Sequence, residues 1–386
     1  MAVLAANAAT VDVDTSNFSS AYDAASDGDI LLLSEGAYGG TLTFPSARTV
    51  TLKAADGAEV KFGGVFRAND ESISGGGIVL DGLKIDITDS YFINLDKCGD
   101  IARIEVKNCD ISNIARCFLR TSNANYSLSE ISFDNCIISN CGSGGWNFMY
   151  PKHKVGKVSV TNSTLYNYIN GESFFMPNQA YTDNDFTFVF TNNTVYRWGK
   201  SNDRALCKTE GKYSANSTYT FKDNIVYKGG TDAVKPQMLQ SNTGSLTATN
   251  NLVIDYNGYN LGSGDKNIQD LSIEDMGIAE LPFPAPDSGD FTIVSSSPLA
   301  TASTTGGVLG DPRWLKTVHA AVNLTVTAFP EEGGTVSPAN ATYETGDAVT
   351  ATATANYGYR FKEWRDASGN VVSSENPYRF DITAET

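Results

Sequence analysis

The residues that could do chemistry in this chain form a basic and aromatic set between residues 118 and 212. Arginine and lysine can neutralise a carboxylate, lysine and histidine can move a proton, and aromatic rings can stack on the apolar faces of sugars. The set runs against the overall charge, since the 386 residues carry 28 basic and 44 acidic side chains and a net charge of −16. Its members are Phe118, Arg120, Phe148, Tyr150, Lys152, His153, Lys154, Phe175, Arg204, Lys208 and Lys212.

A repeated pattern must position these side chains. Each copy has alternating apolar residues, an Asn or Asp, and a second apolar run, and from Asn108 onward the steps are 27, 27, 30, 31 and 27 residues. A step of this size predicts a stacked solenoid. Because Asn, Asp and Gly tolerate a left-handed backbone, we expect these bend residues to turn the chain between two strands and to carry no chemistry. The bend residues are Gly82, Asn108, Asn135, Asn162, Asn192, Asp223 and Asn250.

With three strands per coil, the first strand lies between successive copies of the pattern. Alternation along this strand predicts that Ile93, Leu119, Met149, Met176, Cys207 and Leu239 point inward. A register shifted by one residue would bury Arg120 and Lys208, which is costly for charged groups. Two rows are therefore expected to face outward. One row contains Phe92, Phe118, Phe148 and Phe175, and the other contains Asn94, Arg120, Tyr150, Pro177, Lys208 and Gln240.

The N-terminal segment has a short amphipathic helix from Phe18, a polar turn and an apolar strand. It resembles the opening of the pectate-lyase-like families of glycan-degrading bacteria. This resemblance implies an all-β fold, a right-handed parallel β-helix with three strands per coil and an N-terminal cap helix. We assign residues 10–317 to it, with Trp314 in a C-terminal plug that covers the strand edges of the last coil. The matching residues are Ala25, Gly28, Asp29, Ile30, Leu32, Gly36 and Tyr38.

From Val322 the composition changes to Thr, Ala and Val. The order of Gly333 to Val336, Tyr343, Gly358 to Phe361 and Trp364 resembles the internalin-type B repeat, a small all-β module of bacterial surface proteins. We assign residues 322–386 to this repeat. Its last strand is expected to be missing, so the natural protein is expected to be longer. The resemblance implies a secreted or cell-surface location.

In the lyase-like β-helices that the chain resembles, saccharide binds along the first-strand face, and a uronic acid undergoes β-elimination. This reaction needs charge neutralisation, a base and an acid. Arg120 and Lys208 lie three coils apart, roughly 14 Å at about 4.8 Å per coil, so they would serve different sugar subsites. The predicted catalytic residues are Arg120, Lys152 and Lys208, and the predicted substrate-binding residues are Phe118, Phe148, Tyr150, Phe175, His153 and Arg204.

The composition of the chain excludes some classes of partner and cofactor. The acidic net charge argues against nucleic acid and against an anionic membrane surface, and no apolar run approaches the length of a membrane span. The six cysteines fit neither a metal site nor a disulfide scaffold, and Cys109 and Cys136 predict a buried stack of thiols. No cofactor and no metal ligand is predicted. Calcium is the alternative way to neutralise a uronate, although no EF-hand loop and none of the metal or catalytic patterns of known lyase families is evident.

Three functions stay open. Non-catalytic binding of a polysaccharide or oligosaccharide of acidic character is favoured narrowly, because the lyase signatures are missing. A polysaccharide lyase and a structural stalk or adhesin are the alternatives. Two structural readings compete with the site: Lys152 to Lys154 could form a solvated turn, and loops such as 178–187 could cover the phenylalanines.

Overall fold

The computed structural model describes residues 8–87, 89–318 and 321–383. The chain divides into two compact units. The first contains the residues up to Ile293 together with Ser297–Leu315, and the second contains Val294–Ser296 and the chain from Lys316 onward. Within the described ranges, no helix is long and apolar enough to span a membrane.

The first unit is a parallel β-solenoid, which confirms the predicted all-β class and the β-helix. Each coil contributes strands to three rows, here called sheets 1, 2 and 3, and successive coils pair in parallel. Sheet 1 contains Thr41–Thr43, Val65–Asn69, Tyr91–Lys97, Cys117–Thr121, Met149–Tyr150, Ala205–Lys208, Gln237–Ser241 and Asn257–Leu261.

Sheets 2 and 3 together have 19 strands. Sheet 2 contains Thr10–Val13, Ile30–Leu33, Thr49–Ala54, Gly76–Asp81, Ile101–Lys107, Ser127–Asp134, Lys154–Thr161, Thr187–Thr191, Thr218–Lys222 and Lys266–Leu271. The strand Ser245–Ile254 begins in sheet 2 and continues past Asn250 into sheet 3. Sheet 3 contains Gly36–Tyr38, Val60–Phe62, Lys84–Asp86, Asp110–Ser112, Ile137–Ser139, Thr164–Tyr168, Thr194–Trp198 and Ile225–Tyr227.

The bend residues lie between sheets 2 and 3 and are left-handed, as predicted. Their φ angles run from 50° at Asn162 to 61° at Asn250, and Gly82 has a φ of 74°. In this region asparagine, aspartate and glycine are strained less than other residues. A second left-handed row that the sequence did not predict includes Asn113, Asn140, Asn167, Arg197, Lys228 and Asp255.

From Cys109 onward, the residue after each bend residue belongs to a buried ladder of thiols, a hydroxyl and amides. The early coils place thiols here, and all six cysteines are free and buried, so the predicted stack of Cys109 and Cys136 is confirmed. Later coils place amides here: the Oδ1 of Asn224 accepts from the backbone N–H of Asn193 at 2.9 Å, and its Nδ2 donates to the Phe190 carbonyl at 2.8 Å. These bonds satisfy backbone groups that the bend would otherwise leave unpaired.

The predicted outward row of phenylalanines is wrong. Phe118 and Leu119 are both fully buried, and both of their N–H groups approach the Phe148 carbonyl, at 2.7 and 3.4 Å. Two successive amides share this one carbonyl, and three successive side chains from Cys117 to Leu119 are buried, so the alternation breaks here. The phenylalanines therefore stack along the core, with the Phe118 ring 5.0 Å from Phe92 and 5.3 Å from Phe148.

The fourth coil is also shifted by one residue from the prediction. Phe175 pairs with both Met149 and Cys207, so it takes the inward place predicted for Met176. Phe174 continues the phenylalanine stack, 5.3 Å from Phe148. Met176 consequently takes the outward place predicted for Pro177. The predicted inward placement of Ile93, Leu119, Met149, Cys207 and Leu239 agrees with their full burial.

The predicted cap helix is present as Phe18–Ala24 and packs Phe18 against Tyr38 and Phe62. The predicted place of Trp314 in a plug over the last coil is wrong. Trp314 donates to the Thr164 hydroxyl at 2.7 Å, and Arg313 donates to Asn135, so this segment lies along the side of the middle coils. Short 3-10 helices at Pro286–Ser288, Pro298–Thr301 and Pro312–Trp314 and a strand pair, Ile293–Val294 with Leu315–Lys316, occur in this returning chain.

The second unit is a small all-β domain, as its sequence predicts, and its strands pair antiparallel. Leu324, Val349 and Ile382 form its buried core. Its strands are Ala321–Thr325, Gly334–Ser337, Asn340–Glu344, Ala348–Ala355, Trp364–Arg365, Val371–Ser373 and Tyr378–Asp381, with a 3-10 helix at Glu331–Gly333.

Candidate functional site

The outward row of sheet 1 brings together three of the predicted site residues. Arg120 pairs with Tyr150, and Lys208 pairs with Gln240 in the same row. The bridges at Phe175 place Met176 between Tyr150 and Lys208. Arg120 and Lys208 are therefore three coils apart on one face, as the sequence predicts.

An aromatic platform lies beside this row. We use this name for Tyr91, Trp146 and Tyr150, whose rings are all partly exposed. The Trp146 and Tyr150 rings meet edge to face, with centroids 5.9 Å apart. Burial raises the pKa of Tyr150, and the nearby Glu172 adds to this effect, so the Tyr150 hydroxyl stays protonated at neutral pH and can donate a hydrogen bond.

Two arginines hold the platform together. The Arg116 guanidinium lies 5.2 Å from the Trp146 ring centre and donates to the Tyr91 hydroxyl at 3.0 Å. Arg120 lies 5.5 Å from the Tyr91 ring centre and donates to Asp96 at 2.6 Å. The resulting surface offers ring faces and guanidinium groups side by side, which suits the apolar faces and the carboxylates of an acidic sugar.

A second group of charges, here called the lysine network, continues along the same face. Lys208 is only 4% exposed; its Nζ donates to the Asp203 carbonyl at 2.7 Å and lies 3.1 Å from Glu210. Each cation of the network has a carboxylate partner. A ligand must therefore compete with these pairs. The network consists of Glu172, Lys200, Asp203, Arg204, Lys208, Glu210 and Lys212.

Lys212 is the residue of this network that is best prepared for proton transfer. Burial lowers its pKa, the neighbouring Lys208 lowers it further, and Glu210 opposes both effects. Its Nζ donates to the Pro177 carbonyl at 2.9 Å. A lysine with a lowered pKa loses its proton more readily near neutral pH, which is what a general base requires.

Four predicted substrate-binding residues cannot touch a ligand on this face. Phe118, Phe148 and Phe175 are fully buried in the core. His153 is also fully buried; its Nε2 lies 2.9 Å from the Gly99 carbonyl, and its Nδ1 has no partner among the described residues. This contact and the full burial hold the ring inside the solenoid, so the predicted ligand contacts of these four residues are wrong.

The remaining predicted residues are partly exposed. Lys152 lies in the turn between sheets 1 and 2, where its carbonyl accepts a hydrogen bond from the Tyr181 hydroxyl. Loop 178–187 is the segment that the sequence offers as a cover for the phenylalanines. Through Tyr181 it contacts this turn. Arg204 pairs with Asp203 at 2.7 Å and with Glu172 at 3.6 Å. The catalytic and binding roles of Lys152 and Arg204 stay predictions.

Sequence reasoning missed Tyr91, Arg116 and Trp146. Arg116 and Trp146 occupy the same place in neighbouring coils, two residues before the buried Phe118 and Phe148. Hydrophobic alternation gives no signal here, because the break in alternation from Cys117 to Leu119 separates this position from the outward row. The repeat step does align the two residues, so comparing coils position by position would have revealed them.

Metal binding needs several converging oxygen, nitrogen or sulfur ligands. Within the ranges that the structure describes, no group of three or more His, Cys, Asp and Glu side chains could hold a metal ion. The sequence-based expectation of no cofactor, and calcium as its alternative, both stay predictions.

Comparisons with known proteins identify the second unit more clearly than the first. Residues 324–386 match the family model of the divergent InlB B-repeat domain, which confirms the B-repeat resemblance. Among solved structures, the chain is similar to the PL6 family alginate lyase AlyGC, with 13% sequence identity and a TM-score of 0.47. That match covers 69% of this chain and only 40% of the lyase, and at this level of similarity it assigns no activity. A search of curated proteins gave no match.

Proposed function

We propose that the first unit is a non-catalytic polysaccharide-binding β-helix that holds an acidic glycan on the sheet 1 face. The single observation that carries this proposal is the Arg116 guanidinium over the Trp146 ring, beside the edge-to-face contact of Trp146 with Tyr150. Stacked rings bind the C–H faces of sugars, and a guanidinium beside them pairs with a carboxylate. A uronic acid presents both features.

Because the cations of this face are already paired with carboxylates, they affect which ligand the face prefers. Arg120 is held by Asp96 at 2.6 Å, and Lys208 by Glu210 at 3.1 Å. A single carboxylate gains little by displacing such a partner, because the new pair replaces an existing one. A polymer that engages several cations along the solenoid gains more from its linked contacts. We therefore expect the face to prefer a polyuronate to a monosaccharide.

The proposed location of the protein is supported by the second unit. Residues 324–386 match the divergent InlB B-repeat domain, and we propose that this unit belongs to a secreted or cell-surface protein that presents the β-helix to extracellular glycans. Neither nucleic acid nor an anionic membrane suits a chain with a net charge of −16.

A lyase is the second candidate, favoured by the lowered pKa of Lys212. In this alternative Lys212 takes the C5 proton of a uronate, and Arg120 or Lys208 neutralises its carboxylate. The electron pair of the C5–H bond forms the C4–C5 double bond while the C4–O bond breaks. The leaving oxygen takes a proton from an acid such as Tyr150, whose raised pKa keeps it protonated.

One experiment separates these functions. The full chain is incubated with alginate, polygalacturonate and a glycosaminoglycan; the ultraviolet absorbance of unsaturated uronate measures cleavage, and affinity electrophoresis measures binding. The proposal predicts retardation by at least one acidic polymer, loss of retardation in Trp146→Ala, and a flat absorbance trace. A rising absorbance that Lys212→Ala abolishes would establish the lyase. If no polymer of the panel is bound and none is cleaved, both proposals are overturned and a stalk or adhesin is left.

The matched control is Tyr227→Ala. Tyr227 is a partly exposed aromatic residue of sheet 3, whose ring lies 5.6 Å from Tyr196. Its removal deletes a similar apolar area away from the sheet 1 face, so retardation should persist. Equal loss in Trp146→Ala and Tyr227→Ala would indicate a general effect on the fold and not a binding platform.

A further inference from the structure

A cleft of about 490 Å³ opens on the solenoid at the ends of the sheet 3 strands. Loops from successive coils build its walls, and its lining includes no residue of the aromatic platform or of the lysine network. Its volume falls in the range of about 300–1,000 Å³ that is typical of small-ligand sites. The residues used below, called the polar cleft, are Asn140, Ser143, Asn167, Ile169, Asn170 and Arg197.

The polar cleft contains hydrogen-bonding groups that the fold does not use. The side chains of Ser143 and Asn170 are exposed and make no hydrogen bond among the described residues. Asn167 donates through Nδ2 to Asn140 and to the Asp287 carbonyl, while its Oδ1 accepts none there. An amide offers both donors and an acceptor, and a hydroxyl does the same. These groups match the mixed donor and acceptor character of a sugar.

Backbone geometry explains why some of the residues that line the polar cleft are polar, but not all of them. Asn140 has a φ of 53° and Asn167 a φ of 58°, so asparagine suits both positions whatever their side chains do. Ser143 and Asn170 have no left-handed backbone, and neither side chain contributes a hydrogen bond to the fold. Beside them Ile169 is 44% exposed and provides an apolar contact surface.

The only cation that lines the described cleft is already neutralised. Arg197 lies 3.1 Å from Asp287 and 3.3 Å from Asp232. The Tyr196 hydroxyl also donates to Asp287 at 2.9 Å, which keeps this carboxylate next to the guanidinium. Lys228 also lies 3.7 Å from Asp232, so two cations and two carboxylates balance here and leave no net positive charge for an anion. Its ligand should therefore be uncharged.

We infer that the polar cleft is a second saccharide site, which takes a short neutral oligosaccharide through the amides, the Ser143 hydroxyl and the Ile169 side chain. Ile169 contacts the C–H face of a sugar ring, while Asn170 and Ser143 bond its hydroxyls. This site differs from the sheet 1 face in ligand chemistry, since it excludes a uronate that the aromatic platform accepts. It does not depend on the function proposed for that face.

Neutral trisaccharides of glucose, mannose, galactose and xylose serve as probes in calorimetric titrations of the full chain. We expect at least one of them to bind and the double variant Ser143→Ala/Asn170→Ala to weaken it about tenfold. Neither side chain bonds to the fold, so this variant should keep the thermal stability of the parent. Ile169→Asp should weaken the same probe by placing a charge on the apolar surface.

Trp146→Ala distinguishes this inference from the proposed function. This variant should bind the neutral probe as the parent does, while it loses the acidic polymer. The inference is overturned if no trisaccharide binds, if the double variant binds the probe unchanged, or if Trp146→Ala abolishes both ligands. Loss of acidic polymer binding alone would leave the polar cleft intact as a site.

Discussion

The guanidinium of Arg116 holds the ring of Trp146 at 5.2 Å and at the same time donates to the hydroxyl of Tyr91 at 3.0 Å. Tyr91 and Trp146 belong to coils on either side of the Arg116 coil. One cation thus restrains two rings. The solenoid backbone alone would leave the side-chain rotamers of these rings, and so their spacing, free to vary. The platform is ordered before a glycan arrives, which reduces the entropy lost on binding.

Replacement of Arg116 should therefore weaken glycan binding more than the loss of one charge suggests. We expect Arg116→Ala to cost about 1–2 kcal/mol, or roughly five- to thirtyfold in affinity, because it removes a cation and frees two rings. Affinity electrophoresis on a polyuronate gel measures the change. Arg103→Ala, at an exposed arginine of sheet 2, is the control and should bind normally. Similar losses in both variants would mean that only overall charge matters.

Asp96 should act as a competitor for the ligand carboxylate. Although burial raises the pKa of Asp96, hydrogen bonds from Arg120 and Ser122 lower it overall, so Asp96 is ionised at neutral pH and occupies Arg120. Asp96→Asn should tighten binding of an acidic polymer a few-fold and make it more sensitive to salt. Asp110→Asn changes the net charge equally in sheet 3 and should have little effect. Weaker binding in Asp96→Asn would show instead that Asp96 positions Arg120 for the ligand.

Phe118 should contribute to stability and not to binding. Its ring is fully buried and lies 5.0 Å from both Phe92 and Phe133. We expect Phe118→Ala to lower the free energy of unfolding by about 3–5 kcal/mol, measured by chemical denaturation. Phe329→Ala, at a ring that is 101% exposed, should change it by less than about 0.5 kcal/mol. A stable Phe118→Ala protein that no longer binds glycan would restore the outward placement.

His153 should make stability depend on pH. Burial lowers its pKa below the ordinary value of 6.5, and the Gly99 carbonyl and Asp100 only partly oppose this effect. Below pH 6.5 the unfolded chain takes up a proton on this histidine that the folded chain refuses. Its contribution to stability is therefore fully present above about pH 6.5 and declines as the pH falls toward the folded pKa, by at most about 1.4 kcal/mol per pH unit.

Urea unfolding of the parent and of His153→Gln at pH 7.5, 6.5 and 5.5 measures this dependence. The parent should lose more stability than the variant as the pH falls, because glutamine does not titrate. Acidic groups with lowered pKa values, such as Asp14 and Asp29, lose their contributions at lower pH and affect both proteins alike. Parallel curves for the two proteins would show that the His153 ring is accessible to protons in the folded state.

Asn224 should be needed for the register of the later coils. Asn224→Leu leaves the Asn193 N–H and the Phe190 carbonyl without partners, at a cost of about 1–3 kcal/mol for each buried group. Asn224→Ser keeps an acceptor, as Ser163 does in an earlier coil, and should cost less. Differential scanning calorimetry compares the two. Equal losses would assign the cost to side-chain volume.

The bends of the solenoid were predictable from sequence because their cause is local. A left-handed residue at Asn108 or Asn162 needs only its own backbone, and the residue type reports it. The pairing of Arg120 with Tyr150 followed from the same repeat. The strand register could be predicted wherever a shift by one residue would bury a charged side chain, as it would for Arg120.

The candidate face was only partly predictable because the alternation of side chains breaks within its strand. Cys117, Phe118 and Leu119 are all buried between Arg116 and Arg120, and no residue type marks this break in the sequence. The pairing of Phe175 with Met149 likewise depends on the loop before it. Trp314 was assigned to a plug, yet its position depends on a hydroxyl 150 residues away. Contacts of this kind leave no trace in local patterns.

The bend between sheets 2 and 3 is constant over five successive coils. Sheet 2 ends there one residue before the bend residue, at Lys107, Asp134, Thr161, Thr191 and Lys222. All variation in coil length lies beside sheet 1. The chain takes 10 residues from Asn108 to Phe118 but 15 from Asp223 to Met238, and 12 from Met238 to Asn250 but 18 from Phe174 to Asn192. The two borders of the sheet 1 face are thus the places where the chain tolerates insertion. New loops could be grafted there to change specificity while the scaffold keeps its register.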